Sequence, residues 1–243
     1  MTASKLGCIL LSLVFLCAFG LWTVRVSAKL GLQRWWLLWT LLLIILYVSY
    51  AARFEQALWY PYDIPHLVLF GAATLYLLLD RPIPFAACLS VDIVFRETSV
   101  FLIVVALLLR LRVATWRYTL GALSVLWLFS RWLRQHLYPL NAFEANGVPR
   151  YRMAAPWHWP QLFSIVGFLW IPVCLGRRFL SSTQRLALYG ASGLMLLTFF
   201  FATWNETRVW SEWSVLFALR AATELEASFV NSGPPSHRRT DRA

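Results

Sequence analysis

The chain has 243 residues, of which 60% are hydrophobic and only 14% charged, against ~45–50% and ~25% in soluble domains. So little polar surface cannot coat a water-soluble globule, and Leu-rich runs without period-2 alternation exclude a β-barrel, leaving membrane α-helices. The net charge of +11 does not point to nucleic acid, because Lys and Arg flank apolar segments, as they do when they orient membrane helices.

In chain order, Gly7–Val24 is the first apolar segment. It reads as a retained membrane helix, because its run exceeds the ~7–15 apolar residues of a signal peptide. In the alternative reading, Val26-Ser27-Ala28 is a cleavage site. Trp35–Tyr50 and Ile64–Leu79 follow, with Trp59, Tyr60 and Tyr62 as an interfacial belt before the latter. The stretch 83–109 is interrupted by Arg96-Glu97-Thr98. Further segments are Tyr118–Leu133, Pro160–Leu175, Arg185–Thr203 and a short one at Val209–Ala222. The expected fold is therefore all-α: a polytopic transmembrane bundle of about eight or nine segments, each helix needing ~20 apolar residues to cross. Residues 1–230 form one membrane domain and 231–243 a polar, disordered tail.

Charge placement selects between one long span and two short helices over 83–109. With a turn at Arg96-Glu97-Thr98, one face collects Arg25, Lys29, Arg34, Arg81, Arg110, Arg112, Arg117, Arg177, Arg178, Arg185 and the three tail arginines. The positive-inside rule makes that face cytoplasmic. A single span would scatter these clusters over both sides. The hairpin is therefore expected, in a multi-pass protein of the cell membrane with its N-terminus outside. The loop 134–159 runs against this pattern, carrying Arg134, Arg150 and Arg152 against Glu144 alone.

The acids then gather at the outer end. Carboxylates near hydrocarbon are costly, and their presence marks candidate sites. Asp63 and His66, three residues apart, can share a helix face, and an Asp that orients a His makes a general base. The plainer reading is a helix-capping Asp63 and an interfacial His66. Arg96 and Glu97 either pair with each other around a turn or line an outward cavity, with Thr98 as a helix cap and Asp92 near by. Glu206 either neutralises a helix N-terminus or orients Arg208, and Arg208 can pair with Glu212 one turn on. Arginine suits a phosphate because its planar fork binds two oxygens at once. Cys8, Cys17, Cys88 and Cys174 lie in apolar runs without metal-ligand spacing, so neither metal nor cofactor is expected. Gly190-Ala191-Ser192-Gly193 resembles a rhomboid serine motif, but the only later histidine is His237 in the tail, so a helix-packing patch is the better reading.

The run Leu89-Ser90-Val91-Asp92-Ile93-Val94-Phe95-Arg96-Glu97-Thr98-Ser99-Val100-Phe101-Leu102 is similar to a pattern of multi-pass glycosyltransferases of the GT-C type. Tyr62-Asp63-Ile64-Pro65 and Asn205-Glu206-Thr207-Arg208 with Glu212 fit the same resemblance. It covers residues 60–110 and 200–222, less than a third of the chain. It implies transfer of, or binding to, a sugar carried on a polyprenyl phosphate at the outer face, with membrane lipid as partner. Asp63, Glu97 and Glu206 would be catalytic, and His66, Arg96, Arg208 and Glu212 would bind substrate. The chain departs from the family in its small size and in its first outer loop, whose acids are Glu55 and Asp63. Two other classes remain: a non-enzymatic scaffold or accessory subunit, and a transporter. A transporter is disfavoured because the inner acids Asp80, Glu224 and Glu226 sit at helix ends.

Overall fold

A computed structural model of the chain describes residues 3–46, 63–137, 171, 176, 181–201 and 212–231. The regular structure among the described residues is all helical, with no strand, and consists of eight α-helices and one 3-10 turn. They are α1 (Ala3–Lys29), α2 (Trp35–Leu46), α3 (Asp63–Leu78), α4 (Pro82–Phe95), the 3-10 turn (Glu97–Ser99), α5 (Val100–Arg110), α6 (Ala114–Leu137), α7 (Ser182–Phe201) and α8 (Ser214–Asn231). Among them one helix, over Leu10–Lys29, is long and apolar enough to cross a membrane. Trp35–Ile45, Asp63–Leu78 and Pro82–Phe95 are apolar but shorter. The expected segment at 160–175 apart from residue 171, the aromatic belt at 59–62 and the tail beyond Asn231 lie outside the described residues.

α3 is the central element. α1, α4, α5 and α8 all pack on it, and it is buried on nearly every side, as a helix apolar all round must be. Close approach needs small residues. A Cβ on Gly71 would lie 2.5 Å from Val215 of α8 and 3.1 Å from Phe19 of α1. α2 packs against α1 and α8, α6 covers α4 and α5, and α7 lies on α5. Gly190, in the small-residue patch, faces Val105 of α5 at an ordinary 3.4 Å for an added Cβ.

Helix ends explain the direction of the chain. α1 closes with Gly31 at positive φ (85°), while Leu32 N–H reaches the Ser27 carbonyl and Gly31 N–H the Ala28 carbonyl. This is a Schellman stop. α3 stops the same way, with Arg81 N–H on Tyr76 and Asp80 N–H on Leu77. Here the left-handed residue is Asp80 (φ 58°), whose carboxylate accepts Trp116 Nε1–H at 2.7 Å and lies 3.4 Å from Arg110 Nη1.

The chain breaks at Arg96, which is extended (φ −142°, ψ 145°). α5 then returns, and Arg110 at its end donates to the Leu77 carbonyl at 3.2 Å. The stretch 83–109 is thus two short helices around a polar turn. Thr98 does not cap α5: residue 99 holds that position, and no side chain caps it. α8 corrects the reading at the other end of the chain. The apolar run stops at Ala222, yet the helix continues to Asn231. It carries its acids because each has a use. Glu224 pairs with buried Arg220 one turn back. Glu226 accepts the backbone N–H groups of Gln33 (3.0 Å) and Arg34 (2.7 Å) at the start of α2.

Candidate functional site

α3, α4, the 3-10 turn and the turn at 212–213 before α8 bring their polar residues to one end of the bundle. Asp63 is the first residue of α3, where a carboxylate meets the positive helix end. Pro65 is tolerated there because first-turn N–H groups have no helical partner. His66 follows one turn later, about 4.5 Å further along the axis, and is fully buried.

His66 Nδ1 lies 2.6 Å from Asp92 Oδ1 of α4. An ionised Asp92 can only accept, so the contact is satisfied by Nδ1–H. The other Asp92 oxygen accepts from the Ser99 hydroxyl at 2.8 Å. That hydroxyl is also 2.7 Å from the Arg96 carbonyl, and its single proton serves one acceptor at a time. On the far side of the ring, His66 Nε2 is 3.1 Å from Glu212 Oε1. The distance is that of an ion pair, but the alignment leaves Nε2 without a hydrogen bond. Glu212 Oε1 instead accepts the Thr98 hydroxyl at 2.6 Å, and its buried Oε2 has no hydrogen-bond partner.

Arg96 reaches the same place from the turn. Its Nη1 is 3.6 Å from Glu212 Oε1 and 3.7 Å from Asp63 Oδ1. Both separations exceed hydrogen-bond length, and this buried nitrogen has no hydrogen-bond partner. Below the cluster, Phe70 meets the His66 ring edge-on, and Trp213 meets Phe70 at 5.1 Å and 89°. Three carboxylates therefore face one guanidinium and one imidazole over an aromatic floor. No group of His, Cys, Asp and Glu suited to a metal ion occurs among the described residues.

The structure thus brings together Asp63, His66, Arg96 and Glu212. Glu97 is turned elsewhere: its carboxylate pairs with Arg131 of α6, and it is 41% exposed. Arg96 does not pair with it, because consecutive residues of the turn point to different neighbours. Trp127 Nε1–H binds the Glu97 carbonyl at 2.8 Å and holds that orientation. Glu206 and Arg208 lie outside the described residues. Ser99 joins the cluster without having been singled out, and Asp92, expected only as a neighbour of the Arg96-Glu97 turn, is bound to His66. The signal for Asp92 was a lone acid in the apolar run Val91-Asp92-Ile93, which demands a buried partner. No protein-family model, curated protein or solved structure matches this chain.

Proposed function

We propose that the chain is a multi-pass membrane protein that transfers, or binds, a sugar carried on a polyprenyl phosphate at the outer membrane face. The membrane reading draws support from large apolar side chains left open to the surroundings on α1 (Val14, Leu21), α4 (Ile83, Val94) and α6 (Val125, Leu128). It also draws on the separation of the basic helix ends from the acid-bearing turns. The legs of the hairpin, 14 and 11 residues, extend about 21 and 16 Å, short of a ~30 Å hydrocarbon core. The polar turn then sits below the outer surface rather than beyond it.

The observation that carries the chemical reading is the His66 imidazole, bound to Asp92 through Nδ1 while Nε2 faces Glu212 at 3.1 Å without a hydrogen bond. Asp92 fixes the imidazole, and Nε2 takes the proton of an acceptor hydroxyl. The hydroxyl oxygen attacks the anomeric carbon, the bond from that carbon to the phosphate oxygen breaks, and the polyprenyl phosphate leaves with the electron pair. Arg96 Nη1, at ion-pair but not hydrogen-bond distance from its carboxylates, is the donor for a phosphate oxygen. Asp63 and Glu212 hold Arg96 in place. In this proposal Glu97 takes no part, and Arg208 is a second phosphate donor oriented by Glu206.

A second reading rests on one specific observation. His66, Asp92 and Glu212 are completely buried and tie α3, α4 and the turn before α8 together, which is also what a polar lock in a scaffold would do. Purified full-length protein in liposomes holding a radiolabelled polyprenyl-phosphate hexose separates the two. The transferase reading expects label to leave the lipid phase, and His66→Gln to slow this by roughly 100-fold or more, the usual size of a general-base effect. No release by the wild-type protein, with His66→Gln lowering only the melting temperature, supports the lock.

A further inference from the structure

The end of α3 opposite His66 carries a second feature. Tyr76 lies ten residues beyond His66, about 15 Å along the helix. There a cavity of about 630 Å³ opens between α1, α3 and the start of α4, lined by Trp22, Arg25, Lys29, Tyr76, Arg81 and Pro84. Trp22 Nε1–H donates to the Tyr76 hydroxyl at 2.9 Å and ties α1 to α3 in its wall. Arg25, Lys29 and Arg81 surround it, and none has an ion-pair partner among the described residues.

The nearby acids are committed elsewhere. Asp80 serves Trp116 and Arg110, and Glu226 serves the amides at the start of α2. Three cations around one cavity with no carboxylate in its lining among the described residues repel each other, and an anion removes that cost. Beside these lining residues in the chain, Leu21 is 73% and Ile83 81% exposed. Leu21 is one turn before Arg25 on the same face of α1, and Ile83 adjoins Pro84. Along α1 the residues therefore run from apolar Leu21 through Trp22 to the cations Arg25 and Lys29. That order matches a lipid lying against the bundle with its headgroup turned inward.

We propose that this cavity binds the phosphate headgroup of an anionic membrane lipid, with Arg25, Lys29 and Arg81 on the phosphate and the acyl chains along Leu21 and Ile83. The site is separate from the His66 cluster. It rests on the membrane reading above and not on the transferase chemistry.

The test is native mass spectrometry of the full-length protein in detergent, titrated with phosphatidylglycerol, phosphatidylcholine or inorganic phosphate. Recovery in carbonate-washed membranes checks the membrane reading separately. Two variants remove the same charge: Arg25→Ala/Lys29→Ala/Arg81→Ala from the cavity, and Arg112→Ala/Arg117→Ala/Arg185→Ala from exposed positions. Wild type should hold phosphatidylglycerol in preference to phosphatidylcholine. The cavity variant should lose roughly 100-fold in affinity, each cation near an anionic headgroup contributing roughly fivefold, while the control retains most of its binding. Equal losses in the two variants, or no preference over phosphatidylcholine, overturn the proposal. So does binding of inorganic phosphate through the same three residues without retention of phosphatidylglycerol.

Discussion

His66 Nδ1 and Asp92 Oδ1 stand 2.6 Å apart, on different helices and with neither side chain exposed to solvent. Neither could be kept there alone. A buried carboxylate or imidazole without a partner costs several kcal/mol, and pairing recovers part of that cost. The pair therefore joins α3 to α4 at the point where the chain must turn at Arg96.

Asp92→Ala leaves His66 and Ser99 without their shared acceptor. Breaking a buried pair from one side costs about 3–5 kcal/mol, so a drop in melting temperature of several degrees is expected in detergent. Asp92→Asn keeps an oxygen for His66 and should lie between the two. An Asp92→Ala protein as stable as wild type would show that the contact holds nothing together.

Glu97→Gln tests the orientation of the turn. The carboxylate pairs with Arg131 where both are more than a third exposed, at 41% and 35%, and such pairs contribute about 0–1 kcal/mol. Stability should change by no more than that, and sugar release should be unaffected. A loss of turnover comparable with that of His66→Gln would return Glu97 to the site.

The site was partly legible in the chain. The charged triplet Arg96-Glu97-Thr98 between apolar runs marked the helix break, and the three-residue spacing of Asp63 and His66 placed both at one helix mouth. Local spacing could not tell which acid orients His66. That partner is Asp92, 26 residues away, and only the packing of α4 on α3 brings it near. Nor could it tell that Arg96 and Glu97 diverge, since a 3-10 turn sends neighbouring side chains to different helices. The extent of α8 was hidden by Glu224 and Glu226, which look like the end of an apolar run until Arg220 and the α2 amides are seen beside them. The expected eight or nine segments already included the two short legs of the hairpin at 83–109, and among the described residues one helix is long and apolar enough to cross.

Asp80 offers a test of helix termination. Asp80→Ala loses the Trp116 and Arg110 contacts and keeps an unfavourable left-handed backbone, which costs roughly 1–2 kcal/mol without glycine. Asp80→Gly loses the same contacts but relieves the backbone. Thermal unfolding should therefore rank wild type above Asp80→Gly, and Asp80→Gly above Asp80→Ala. Finding Asp80→Ala the more stable of the two would contradict the left-handed conformation.

Gly71→Ala should destabilise by about 1–3 kcal/mol, because overpacking forces neighbours aside and the new methyl meets Val215 at 2.5 Å. Val215→Ala in the same chain should recover part of the loss. Gly190→Ala, with 3.4 Å to Val105, should be nearly neutral. Equal effects at the two glycines would mean that α3 and α8 do not approach so closely.

The most direct test of the proposed chemistry is a cycle of sugar-release rates in liposomes for wild type, His66→Gln, Asp92→Asn and the double variant. Groups that act as one unit lose their function once. If Asp92 works through His66, the double variant should be no slower than His66→Gln alone. Losses that multiply would mean that the two residues act independently. Unchanged rates in every variant would mean that the His66 cluster is not where the reaction happens.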